Sequence, residues 1–456
     1  MTACDELYIS FLFPPSDYVS GITVFKRIAV NGKKVDVLQA DFKSDNLSQF
    51  NNYVDEYINN RILIDIDCDN DWANCIFKFQ DRGLKAIKND YKKIYSRSWL
   101  MANHFLASQY KFKNPEVIWH AEFSDPLIYD LSNKPKTYKQ MKVNDEDYIL
   151  KINEKIDEFN KNNNADFVHV ENNSQAYFIA EYLVYLFADE VIFTNENQRE
   201  VMLDQFPVDV KDMVLKKSQI KIHPTLDDKF YHIKDVDLNL NPDEINIAYF
   251  GKDYYGKRHF EALFYTLDSL NHRYKDKIKI HIFIDDTQLV KSLISSTQSS
   301  DNFTVRKPIG YLEFLNATTK FDVLLVSDVE TKPDFELNPY LPSKLSDYMG
   351  SSADIWGICE KGSSLSKMDL KYKSYIGDIP SLQSQIIKIL HDRNLIDENW
   401  SFVDGYLSKR LTALNELYER EFRRKIKLSE DIKKLQNENK QIKSSNSWNP
   451  FKKLKK

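Results

Sequence analysis

Apolar runs alternate along this chain with amphipathic stretches. Residues 7–13 (LYISFLF) are almost continuously apolar, as in a strand buried on both faces of a parallel sheet. After Pro14 and Pro15, a helix is predicted from Ser20-Gly21, with Ile22, Phe25, Ile28 and Ala29 at helical spacing and Gly32 at its end. Val35, Val37 and Leu38 then open a second strand, which completes a βαβ unit with a glycine at its first strand–helix junction. Residues 72–79 read as a strand and 84–110 as helical. A strand at 117–119 would deliver His120, Glu122 and Asp125 to its carboxyl end, the edge where open α/β sheets place ligands. Residues 132–166 are charged and poor in apolar side chains, which predicts an exposed helical insertion or a mobile lobe. A helix from Ala176, a strand at 191–193, a short strand at 221–230 with a proline turn, and a linker at 231–244 complete this half.

The second half repeats the alternation. Strands are expected at 245–250, 278–284, 303–305, 322–327 and 355–359, with helices between them and a last amphipathic helix at 380–395. Strands alternating with helices of this length predict an α/β fold with a parallel sheet in each half. Residues 1–240 and 241–400 form the two expected domains, followed by a helical extension at 401–456. In that extension, 407–442 carries two short heptad-like runs that fit either a helix packed on its own protein or a homo-oligomer seam. The end, SSNSWNPFKKLKK (444–456), sets Trp448 and Phe451 among lysines. That suits an anionic membrane surface and equally a solvated basic tail.

Composition narrows the function. The 456 residues are 42% hydrophobic and 13% aromatic, enough for large cores, and the net charge of −5 argues against nucleic acid as a partner. With only 11 glycines, each one beside a strand end is informative. Cys4, Cys68, Cys75 and Cys359 fit no disulfide framework, so a reduced, cytoplasmic setting is expected. The nine histidines include no pair at metal-binding spacing on one helix, and no stretch approaches about 20 apolar residues.

The candidate chemistry centres on INIAYFGKDYYGKRHFE (245–261). A strand ending at Gly251 and followed by Lys252, Lys257 and Arg258 at a helix start is suited to phosphate. Farther on, Pro342 pre-sets a helix whose first turns hold Ser343, Lys344 and Asp347.

Six segments, in order, resemble the GT-B glycosyltransferases of the large retaining, family-4-like group that builds bacterial surface polysaccharides and decorates teichoic acids. They are PPSDYVSGITVFKR, WHAEFSDP, ADEVIFTNENQREVM, KIHPTLDDKFY, YFGKDYYGKR and YLPSKLSDYMGSS. The resemblance implies two Rossmann-like domains facing a deep cleft. It also implies a nucleotide-sugar donor and a glycan, teichoic acid or lipid-linked acceptor at the inner membrane face. Gly21, Gly251, Lys252, Lys257, Arg258, Ser343 and Lys344 would hold the donor diphosphate without a metal or other cofactor. Asp347 would hold the ribose, His120 would act at the transferred sugar, and Glu122 and Asp125 would lie on the acceptor side. The chain departs from the family where a first acidic residue is usual. Eight positions before Asp347 stands Pro339, and the nearest upstream carboxylate is Glu336. That departure keeps a second reading open, a non-catalytic GT-B partner subunit. A sugar-phosphate epimerase of the same two-lobed shape is a third.

Overall fold

The computed structural model describes residues 4–16, 18–41, 48–66, 72–98, 101–134, 143, 145–172, 174–252, 258–295 and 297–396, with isolated helical positions from 416 to 435. Lys257, the tail 444–456 and most of 407–442 lie outside the described residues. Leu428 and Leu435 of the heptad run are helical and exposed.

Two parallel sheets organise the chain. The first contains β1 (Glu6–Ile9), β2 (Val35–Ala40), β3 (Ile58–Ile64), β4 (Lys93–Ser98), β5 (Ile118–Phe123), β6 (Glu190–Phe193) and β7 (Ser218–Ile220) in the order β3-β2-β1-β4-β5-β6-β7. The second contains β8 (Ile245–Phe250), β9 (Ile278–Phe283), β10 (Phe303–Arg306), β11 (Val323–Ser327), β12 (Asp354–Cys359) and β13 (Tyr372–Tyr375) in the order β10-β9-β8-β11-β12-β13. Every residue of β2 and of β8 is buried, as strands covered by helices on both faces must be. In each sheet the chain winds outward from its first strand, then returns to that strand's other side. The strand order therefore reverses between β1 and β4 and between β8 and β11, and such reversals open a crevice at the carboxyl ends of the strands.

Helix α1 (Val19–Asn31) follows β1 and ends as expected, with Gly32 in the left-handed conformation at φ 69°. It is buried nearly all round, Lys26 included, because it lies between the first sheet and the second half of the chain. Phe25 meets Phe230 of the connecting segment at 5.7 Å between ring centres, and Phe50 meets Tyr311 at 5.4 Å. These rings belong to one apolar cluster that runs from Tyr8 through Phe230 to Phe250, so the two halves share a core.

Several elements differ from the sequence expectation. Residues 72–79 open a helix, Trp72–Ala86, whose buried Cys75, Ile76 and Phe79 follow helical spacing. The helix expected over 84–110 is interrupted by β4, whose buried Ser96, Arg97 and Ser98 do not look like a core strand in sequence. The charged stretch 132–166 is not simply an exposed lobe. Its helix Glu146–Asn163 starts at Asp145, whose side chain accepts the Tyr148 N–H, and it sinks Ile149, Ile152 and Ile156 into the core. Cys75 is disulfide-bonded, where the spacing predicts no bridge, while Cys4 and Cys359 are free thiols.

Candidate functional site

The crevice of the second sheet is built from the exits of β8 and β11. Gly251 follows β8 in a turn folded over Tyr249. A Cβ at Gly251 would fall 2.5 Å from the Tyr249 hydroxyl, which donates to the Lys252 carbonyl at 2.9 Å. Lys252 is exposed and stands 3.8 Å from Asp285. Arg258 donates to the carbonyl of Ser327, the last residue of β11. His259 takes a left-handed φ of 55° and approaches Glu330 at 2.9 Å. Arg258 and His259 are thus tied to the exit of β11 and the residues just beyond it, while Lys252 stays in solvent.

Ser343 and Lys344 lie in a turn that leads into a helix of only four residues, Leu345–Tyr348. The Lys344 ammonium lies 4.7 Å from the ring centre of Phe314. Burial pushes its pKa down, Asp347 opposes that, and Lys26, Arg258 and Lys252 push it further down. Five charges, four of them cations, therefore act on one small region. Asp347 is buried in it. Its Oδ1 meets the Lys26 ammonium at 2.5 Å and accepts from the Tyr311 hydroxyl at 2.9 Å, while its carbonyl accepts from Tyr231 at 2.7 Å.

Two buried carboxylates shape the loop beyond β11. Glu360 accepts from the Thr331 and Lys332 amides, the Thr331 hydroxyl and the Asn338 side chain. Asp328 accepts from the Glu360 amide and the Ser363 hydroxyl. Burial pushes its carboxyl up to about 7, against the pull of Ser363, the amide and Arg258.

The residues expected on the first domain are placed differently from one another. Asp125 lies just past β5; burial first, then the charges of Asp125 and Asp130, push the pKa of the Tyr340 hydroxyl of the second domain up. His120 does not lie past the strand end. It sits inside β5, because the strand runs to Phe123, and its Nδ1 is 3.4 Å from Glu190, which opens β6. The register pairs His120 with Glu190, the first residue of β6, so it lies in the amino-terminal half of β5, away from the carboxyl edge where the crevice opens. Glu122 is fully buried and receives Arg27 at 2.9 Å, Arg97 at 3.0 Å and the Tyr95 hydroxyl at 2.7 Å. Burial raises its pKa, but the two guanidiniums outweigh it and hold the carboxyl at about 2. Glu122 is therefore the centre of a closed ion cluster and has no face left for an acceptor. Gly21 is needed by its own chain, since a Cβ there would fall 1.7 Å from the Leu12 carbonyl oxygen. That accounts for the glycine without a ligand.

Sequence reasoning missed the residues that join the domains. Lys26 spans from α1 to Asp347 and to Ser346 Oγ, the latter at 3.0 Å. Asn195, after β6, donates to the Pro339 carbonyl at 3.0 Å, and Asn197 donates to the carbonyls of Asn338 and Gly362 at 3.1 Å each. The sequence signal was slight: two adjacent cations, Lys26 and Arg27, interrupting an apolar helix, and a pair of asparagines in TNEN. Among the described residues no group of three or more His, Cys, Asp or Glu side chains is arranged to hold a metal, and no helix is long and apolar enough to cross a membrane.

No protein-family model matches the chain, and no curated protein matches it. Solved structures do. An α,α-trehalose-phosphate synthase (UDP-forming) from Burkholderia xenovorans, in complex with glucose-6-phosphate, superposes with a TM-score of 0.51 at 8% identity, over 94% of this chain and 100% of that one. A trehalose-6-phosphate structure from E. coli bound with UDP-2-fluoro glucose gives 0.50 at 9% identity, over 92% and 95%. The apo structure of OtsA gives 0.50 at 8% identity, over 92% and 99%. At such identities the likeness is one of fold. Together with the two parallel sheets, it makes this chain a GT-B fold of two Rossmann-like domains.

Proposed function

We propose that this protein is a glycosyltransferase that takes a sugar from a nucleotide-sugar donor whose diphosphate lies at the crevice of the second sheet. The observation that carries the reading is the placing of Lys252 and Arg258 just past β8, with Arg258 on the last carbonyl of β11, beside the turn of Lys344 and Asp347, whose neighbour Tyr348 accepts the Phe250 N–H at the end of β8. The departing group in such a transfer is a nucleoside diphosphate, and fixed cations stabilise the charge that develops on it. Lys257, adjacent in sequence, joins this clamp in the proposal. The same cations perform the role a metal would otherwise take. Asp347 faces the ribose, and Asp125 faces the acceptor across from Tyr340. We assign the acceptor to a surface glycan, teichoic acid or lipid-linked sugar, with retention of configuration, on the strength of the motif order in the sequence. His120 is left out of the mechanism because it lies away from the crevice.

The test is a panel of sugar nucleotides assayed for hydrolysis and for thermal stabilisation of the full chain, since a bound ligand raises stability by mass action. The expected result is one donor family that stabilises wild type and fails with Arg258→Ala or Lys344→Ala. Equal stabilisation of both variants would remove the clamp. One observation favours the non-catalytic alternative. Pro339 stands where the resembling family has its first acid, and its carbonyl is engaged by Asn195. A chain that binds a nucleoside diphosphate yet hydrolyses and transfers nothing would support that alternative.

A further inference from the structure

Lys26 is the most deeply buried lysine at the crevice, with its side chain only 3% exposed. An ammonium carries three N–H donors, and buried donors require acceptors. Two are used, one on Asp347 Oδ1 at 2.5 Å and one on Ser346 Oγ at 3.0 Å. The Ser346 hydroxyl gives its own hydrogen to the Ser343 carbonyl at 2.9 Å, so towards Lys26 it can only accept. The described residues provide no third acceptor for the ammonium. Lys26 also lies among the clamp charges. It acts electrostatically on Lys344, as Arg258 and Lys252 do, although it comes from the other domain.

We propose that the third N–H of Lys26 binds a phosphate oxygen of the donor's diphosphate, so that the clamp is assembled from both domains. This rests on the donor reading given above and names a residue that the reading does not contain. Asp347 has a second task in this arrangement. It draws the Lys26 ammonium across the seam and holds it beside Ser346, where a phosphate that lies against Lys344 also meets it. A donor held in this way contacts both domains at once, across a seam that Lys26 and Asp347 already bridge.

Charge bookkeeping separates this role from simple neutralisation of Asp347. Lys26→Met alone strands a buried carboxylate, so the informative pair is Asp347→Asn, which keeps a neutral acceptor for the ammonium, and the double variant Lys26→Met/Asp347→Asn, which leaves no uncompensated buried ion; melting temperatures of both establish that they fold. Inorganic pyrophosphate is titrated calorimetrically into the full-length wild type, Asp347→Asn, the double variant and Arg258→Ala. We expect Asp347→Asn to bind pyrophosphate at least as tightly as wild type, because the asparagine oxygen still accepts from the ammonium and keeps it beside Ser346 while one competing negative charge is removed. The double variant should bind about tenfold to a hundredfold more weakly than Asp347→Asn, the usual effect of losing one charge-assisted hydrogen bond. Equal affinity of the double variant and Asp347→Asn, with Arg258→Ala still impaired, overturns the role of Lys26 and leaves the donor site standing. Failure of wild type to bind pyrophosphate or any nucleoside diphosphate overturns both.

Discussion

Arg97 and His223 meet at 3.1 Å, with the guanidinium Nη2 donating to Nε2 of the imidazole. Since an arginine has no acceptor, this contact puts the imidazole proton on Nδ1. It also joins β4, in the body of the first sheet, to the segment through which the chain leaves that sheet. Arg97 is held in turn by Glu122 and by Ser20 at the start of α1.

Burial, then the nearby Arg97 charge, pushes the His223 pKa well below its ordinary value. His104 is pushed down to about 3 by burial and Arg97, and His281 to about 4 by burial, Arg306 and Lys279. The unfolded chain therefore takes up protons first. Stability is complete above pH about 6.5 and falls as the pH drops towards about 4, by about 1.4 kcal/mol per pH unit for each histidine. Denaturant melts between pH 7 and pH 5 read this slope, and His223→Gln should make it shallower. A slope unchanged in that variant would mean that His223 is not held neutral.

Glu122→Gln should destabilise by about 3–5 kcal/mol at pH 7, because it leaves Arg27 and Arg97 buried without their shared partner. The wild-type contribution has the usual sign for a depressed carboxylate. It is complete above the ordinary 4.5 and lost as the pH falls towards about 2. Chemical denaturation of the two proteins across pH 3–7 measures both effects, and the gap between them should close towards the acid end.

Gly21→Ala should cost about 1–3 kcal/mol, as overpacking does, because the added methyl meets the Leu12 carbonyl and lies 3.0 Å from the Phe13 Cα. A variant with the wild-type melting temperature would show that the loop after β1 yields. Donor affinity measured at a temperature where both proteins are folded separates lost packing from lost phosphate contact.

The tail at 444–456 makes a separate prediction. Removing it should release the protein from phosphatidylglycerol vesicles in a sedimentation assay, with little change in the melting temperature. Equal sedimentation of the truncated and full chains would remove the membrane anchor.

Most of the second sheet was readable in the sequence because its central strands are largely apolar; Ile245–Phe250 and Val323–Ser327 carry their burial in their composition. β4 was not readable because three of its five buried positions are polar, and Ser96 and Arg97 are satisfied by side chains from elsewhere in the fold. Ser96 meets His104 and Trp119, and Arg97 meets Glu122, Ser20 and His223. The cations of the second domain were legible as a cluster near one strand end. Lys26 was not, since its partner lies more than three hundred residues away and periodicity reports only what a helix does locally. His120 and Glu122 were misplaced for a simpler reason: β5 runs to Phe123, and the extra residues turn an expected site into the strand itself.

The amide struts of Asn195 and Asn197 grip main-chain carbonyls without any net charge. Ionic strength weakens attraction between a solvent-reached anion and its cations, and it leaves neutral contacts nearly untouched. Salt thus becomes a dial for the solvent-reached anion, loosening a bound diphosphate while the neutral struts and the buried Lys26–Asp347 pair keep the seam shut. A titration with sodium chloride would separate occupancy from closure in a single sample.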